Sequence, residues 1–109
     1  MGLSKAQILA ADDLPIRKIK VKEWGGEIAL RCLSGQEASD WYSAGLEGIP
    51  SMCMMIALSA IDDDGERLFE NDDVEALGKK NPNALRVVFD AALSLSALDG
   101  EADSDAEKN

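Results

Sequence analysis

Asp62-Asp63-Asp64-Gly65 has the composition of ligand chemistry, three carboxylates in a row before a glycine, as in a calcium-binding loop. With Gly65 at the sixth position of such a loop, the first position falls on Ala60 and the twelfth on Asn71, so both required carboxylates are missing. A helix-ending turn accounts for the cluster better. The chain contains no histidine, which removes the usual general base, the commonest transition-metal ligand and any Ser-His-Asp or Cys-His arrangement. No phosphate-binding glycine loop is present, and the other carboxylates sit mostly in turns and first helical turns, where capping and solvation explain them. Cys32 and Cys53 lie in apolar surroundings on different elements and are expected to be two buried free thiols. The residues therefore predict neither an enzyme nor a cofactor or metal site.

What remains is contact chemistry. Trp24 stands beside Gly25-Gly26, where an indole either covers the turn or anchors a partner. Trp41-Tyr42 lies four residues past Glu37, in position either to pack inward or to face a partner. Met52, Met54 and Met55 form a cluster that fills a core or suits a surface that must accept varied helices. These eight residues, Trp24, Gly25, Gly26, Trp41, Tyr42, Met52, Met54 and Met55, are the candidate protein-interaction site.

The elements that must position them are legible from spacing. A two-residue turn at Gly25-Gly26, with positive φ at both glycines, sets Trp24 opposite Glu27, Val21 opposite Leu30 and Ile19 opposite Cys32 in a hairpin over about 16–33. One face is then apolar and the other carries Lys20, Lys22, Ala29 and Arg31. Ser4 caps a short helix over 5–11, ended by Asp12-Asp13-Leu14-Pro15. Ser34 and Glu37 have capping-box spacing, so a helix runs over about 35–44, broken by Gly45, Gly48 and Pro50. The run Met52-Cys53-Met54-Met55-Ile56-Ala57-Leu58 is apolar all round and predicts a largely buried helix over about 51–61. Asn71 caps a helix over about 72–79 that ends at Gly78, and Asn81-Pro82 opens the last one, over about 82–97. Its stripe of Leu85, Val88, Phe89, Ala92, Leu95 and Ser96 is expected to pack on the methionine-rich helix and the hairpin. The fold class is α+β, mainly α: a hairpin followed by about four helices in one domain over 1–98.

At 109 residues and 46% hydrophobic content the chain is ordinary for a globular domain. Its formal charge of −10 opposes nucleic-acid backbones and anionic membranes, so neither is expected as a partner. The segment 99–109 carries Asp99, Glu101, Asp103, Asp105 and Glu107 against Lys108 alone and reads as a flexible, solvating acidic tail. With no membrane-length apolar run and no signal-peptide layout at the N-terminus, the cytoplasm is the expected compartment.

Several short motifs also resemble one family. Leu3-Ser4 with Ile8-Leu9-Ala10-Ala11-Asp12-Asp13, Glu23-Trp24-Gly25-Gly26-Glu27, Leu33-Ser34-Gly35-Gln36-Glu37, Asp63-Asp64-Gly65-Glu66-Arg67-Leu68-Phe69 and Asp73-Val74-Glu75-Ala76-Leu77-Gly78 resemble the tail assembly chaperones of long-tailed, siphovirus-type bacteriophages. The resemblance spans about residues 3–98 and is weakest between Tyr42 and Ser51. It implies a non-enzymatic protein that holds the tape-measure protein while tail-tube subunits assemble around it, and that is absent from the finished virion. It further implies a minority longer product made by ribosomal slippage. Glu107-Lys108-Asn109 can be encoded GAA AAA AAC, a run on which such slippage can occur. For the task that the resemblance implies, self-association into an open spiral fits better than a closed dimer. A small acidic adaptor that masks a basic protein is the alternative reading.

Overall fold

The structure, a computed structural model, describes residues 2–96, so the 99–109 segment and the 107–109 slippage position lie outside the described residues. Its elements run α1 (Lys5–Ala10), β1 (Ile16–Val21), β2 (Gly26–Arg31), α2 (Gly35–Ser43), α3 (Gly48–Ser59), β3 (Ala60–Ile61), α4 (Val74–Leu77) and α5 (Pro82–Leu95), with 3-10 turns at Lys22–Trp24 and Asn71–Asp73. The three strands form an antiparallel sheet in the order β1-β2-β3, so the fold is α+β and mainly α.

The hairpin closes differently from the expected two-residue turn. Its register sets Val21 opposite Gly26, Ile19 opposite Ile28 and Arg17 opposite Leu30, and the loop is the four residues Lys22–Gly25. Three of these form a 3-10 turn and Gly25 ends it at φ 71, donating its N–H to the Lys22 carbonyl at 3.1 Å. Gly26 is strand, and it is not among the positive-φ glycines. Trp24, the last residue of the 3-10 turn, packs partly buried against the core. Gly25→Val is therefore expected to cost about 1–2 kcal/mol, since a side chain resists the left-handed region, whereas Gly26→Val should leave the melting temperature nearly unchanged. Thermal denaturation of the two variants checks this order.

Capping fixes the helix starts. Ser4 with Gln7 and Ser34 with Glu37 form reciprocal capping boxes at α1 and α2, and Asn81 Oδ1 accepts the N–H groups of Asn83 and Ala84 at α5. The short α4 instead follows a turn in which Glu70 and Asp73 cap reciprocally, while Asn71, expected as the cap, accepts a bond from Arg67 at 3.0 Å. Gly78 is right-handed at its end, and its lack of a side chain avoids the Glu75 carbonyl, which a Cβ would meet at 3.3 Å.

Helix α3 begins three residues earlier than its apolar run suggests, because Pro50 falls in the first turn, where no N–H is needed. It stops at Ser59, whose buried hydroxyl donates to the Met55 carbonyl at 2.8 Å, and the chain turns into β3 against Ala29 and Leu30. The Asp62 cluster then reverses the chain: Asp62 Oδ1 accepts the N–H groups of Asp64 and Glu66, at 2.9 and 3.0 Å. Arg67 returns beside α3 and donates from Nε to the Ala57 carbonyl at 3.0 Å, satisfying the helix's C-terminal end with a cation.

The core lies between one face of the sheet and two helices. Val21, Ile28 and Leu30 supply the sheet side, Cys53, Met55, Ile56, Ala57 and Leu58 the α3 side, and Ala84, Leu85, Val88 and Ala92 the α5 side. The last helix starts near the hairpin turn, where Asn83 Nδ2 donates to Glu23 Oε2 at 2.7 Å. It ends near the hairpin's open end, where the Leu33 N–H donates to Ser96 Oγ at 2.9 Å.

Candidate interaction surface

No group of three or more His, Cys, Asp or Glu side chains is placed to hold a metal ion among the described residues. The Glu23 carboxyl is held below its ordinary value, first by the hydrogen bond from Asn83, then by backbone hydrogen bonding, but it is fully exposed at the hairpin tip. Burial pushes the Cys53 thiol up. A group so buried and so seldom ionised should resist alkylation, so a thiol reagent at neutral pH is expected to modify the half-buried Cys32 and spare Cys53 until denaturant is added. Mass spectrometry of labelled peptides before and after unfolding reads this directly.

The sequence-derived candidates separate into three places. Trp24 is half-buried against the core, with its Nε1 buried and without a hydrogen-bond partner among the described residues. Met55 is fully buried and belongs to the core, so only Met52 and Met54 are partly accessible. Trp41 is wedged between helices: its Nε1 donates to the Ser51 carbonyl at 3.0 Å, and its ring lies tilted against Tyr42 and Phe89, with centroids 5.1 and 6.3 Å away. Tyr42 itself is 62% exposed. Trp41 thus fixes a corner whose outer wall is Tyr42.

That corner extends further than spacing indicated. Leu46 and Ile49, in and just after the α2–α3 connection, are both exposed, and a small hollow of about 100 Å³ lies between Trp41, Tyr42, Leu46 and Ser51. Ile49 continues into a groove of about 610 Å³ lined also by Pro50, Val74, Gly78, Asp72, Glu75 and Lys79. A second apolar surface lies on the N-terminal arm, Leu3 together with α1, where no helix residue is buried and Leu3 and Leu9 are 74% and 76% exposed. Sequence reading passed over both. A six-residue capped helix has too few residues to be stable alone and buries none of its own, the available signal that it needs a partner.

No protein-family model and no curated protein matches the chain. Among solved structures, the tail assembly chaperone of bacteriophage HK97 superposes with a TM-score of 0.62, over 83% of this chain and 90% of that one, at 22% identity. The chain has the fold of a phage tail assembly chaperone. At that identity the likeness is one of backbone arrangement alone.

Proposed function

We propose that this chain is a non-enzymatic tail assembly chaperone of a long-tailed phage, acting in the host cytoplasm and absent from the virion. Its proposed client is the tape-measure protein, a long helical rod that would aggregate if left bare before tail-tube subunits enclose it. The observation that carries the reading is the shared fold. The exposed apolar corner and arm support it, since a chain that coats a rod needs contact surface for neighbours and for client. Self-association is proposed to be heterologous, through different patches on adjacent copies, which yields an open spiral when the rotation does not close. Tail-tube protein is a proposed further partner. A longer slippage product is proposed to bring an added domain to the client.

A sedimentation experiment separates this from an acidic adaptor. Apolar contacts between copies persist as salt is raised to about 1 M, where charge is screened beyond roughly 3 Å. The chaperone reading predicts association retained or strengthened under those conditions. A monomer that grips basic proteins only at low salt contradicts it.

A further inference from the structure

Two exposed surfaces of the described residues have complementary chemistry. The first is the N-terminal arm. Its base is fixed, because the Pro15 carbonyl accepts the Cys32 N–H at 2.9 Å, and Ala11 ends α1 in an extended conformation at φ −67 and ψ 134. Residues 12–15 are neither helix nor strand, so α1 sits on a stalk. Within α1, Lys5, Ile8 and Leu9 share one face at i, i+3 and i+4, and Leu3, just before the cap, stands at the staple position relative to Ile8. Leu3, Ile8 and Leu9 are all exposed. Six residues are far too few for a helix to be stable alone, yet the capping box of Ser4 and Gln7 is complete. Such a segment gains its stability by docking.

The second surface is the groove beside Ile49. Ile49, Pro50 and Val74 give it an apolar lining, and its volume of about 610 Å³ falls within the roughly 300–1,000 Å³ of clefts that enclose small ligands. That is room for Ile8 and Leu9. Its charges follow an order along the chain, Asp72 and Glu75 first and Lys79 after them, with the exposed Lys80 next. The arm has the opposite order, Lys5 first and Asp12 and Asp13 last. The spacing is also equal: seven residues separate Lys5 from Asp12 and Asp72 from Lys79, about 11 Å at the helical rise.

We propose that the arm of one copy docks in the Ile49 groove of the next, with α1 parallel to α4. Lys5 then stands beside Asp72 and Glu75, and Asp12 and Asp13 beside Lys79 and Lys80. The reverse direction would oppose like charges at both ends. Exposed ion pairs contribute little affinity, so burial of Leu3, Ile8 and Leu9 holds the arm and the charges choose its direction. The occupant is a second copy because, within one copy, the arm and Ile49 both stay exposed. Each copy offers one arm and one groove, so the contact is head to tail. This pairing rests on the heterologous self-association proposed above and assigns its two patches.

Sedimentation of full-length variants, alone and mixed, tests it. Ile8→Glu with Leu9→Glu spoils the arm and leaves the groove, whereas Ile49→Glu spoils the groove and leaves the arm. None of these side chains belongs to the core, so both variants should fold, which circular dichroism checks. Each alone is expected to associate at least about tenfold more weakly than wild type. Their equimolar mixture is expected to regain the wild-type affinity and to stop at a 1:1 dimer, since one sound arm meets one sound groove. Lys5→Glu and Glu75→Lys should each weaken association and together restore it; no restoration would overturn the parallel direction. A wild type that associates while the mixture stays monomeric would overturn the arm and groove pairing and leave self-association to other patches. A wild type that stays monomeric would overturn both the pairing and the self-association, and a shift of its Ile49 methyl resonance in the arm variant would place the arm in its own groove.

Discussion

Leu85→Ala should lower stability by about 3–5 kcal/mol, the cost of emptying a fully buried leucine site in a core that cannot collapse around it. Leu85 is 1% exposed and stands on α5 in one cluster with Met55, Leu58 and Ala92, so it joins the last helix to α3. A domain of this size has about 5–15 kcal/mol in total, and each lost kcal/mol lowers its melting temperature by about 4–8 °C. The loss of at least 12 °C that follows is readable by circular dichroism. Phe89 invites the same expectation from its place in the α5 stripe, but it is half-buried against the Trp41 ring. Phe89→Ala should accordingly cost less than Leu85→Ala, and a larger effect at Phe89 would mean that the Trp41 corner, and not the α3–α5 seam, carries the fold.

The second large effect is expected on association, not on folding. Leu46→Glu with Ile49→Glu places two charges on an exposed apolar corner where neither side chain is part of the core. Burying those charges at the proposed interface costs far more than the fold loses, so the proposed self-association should weaken by at least about tenfold, equivalent to about 1.4 kcal/mol. The melting temperature of the monomer should move by only a few degrees. Tyr42→Ala in the same background adds little if the three side chains act as one patch, because neighbours in a shared contact are not additive. Analytical ultracentrifugation over a concentration series reads the association, and circular dichroism reads the melting temperature.

The parts of the fold that were legible in the sequence are those in which a local rule also decides the tertiary outcome. The hairpin is the clearest case. Its register was expected with Val21 opposite Leu30 and is found with Val21 opposite Gly26, a displacement of four residues. An even displacement leaves every side chain on its own face, so Val21 and Leu30 remain inward and Lys20, Ala29 and Arg31 outward. Capping at Ser34 and Asn81 was readable because the donor and acceptor lie within three residues. Strand β3 was not, since two residues at the end of an apolar run carry no period of their own. The Arg67 contact with the end of α3 joins residues ten apart through a loop, which no spacing rule reports.

The candidate surface was legible only in part, for a related reason. An apolar run without a polar face does not say which side is covered, and Met55 proved fully buried while Met52 and Met54 are half so. Tyr42 was readable from its place beside Trp41. Leu46, Ile49 and the arm at Leu3, Ile8 and Leu9 are scattered apolar residues in polar stretches, and only the fold shows that the core of the described residues does not receive them.

The central claim is that this chain coats a long helical client. The direct test is co-expression with the tape-measure protein encoded in the same genome, followed by light scattering of the purified complex. The account predicts that the rod becomes soluble and elutes with many copies of this chain per rod, and that L46E/I49E lowers that number. A rod that stays insoluble, with the wild-type chain eluting alone as a monomer, would contradict it.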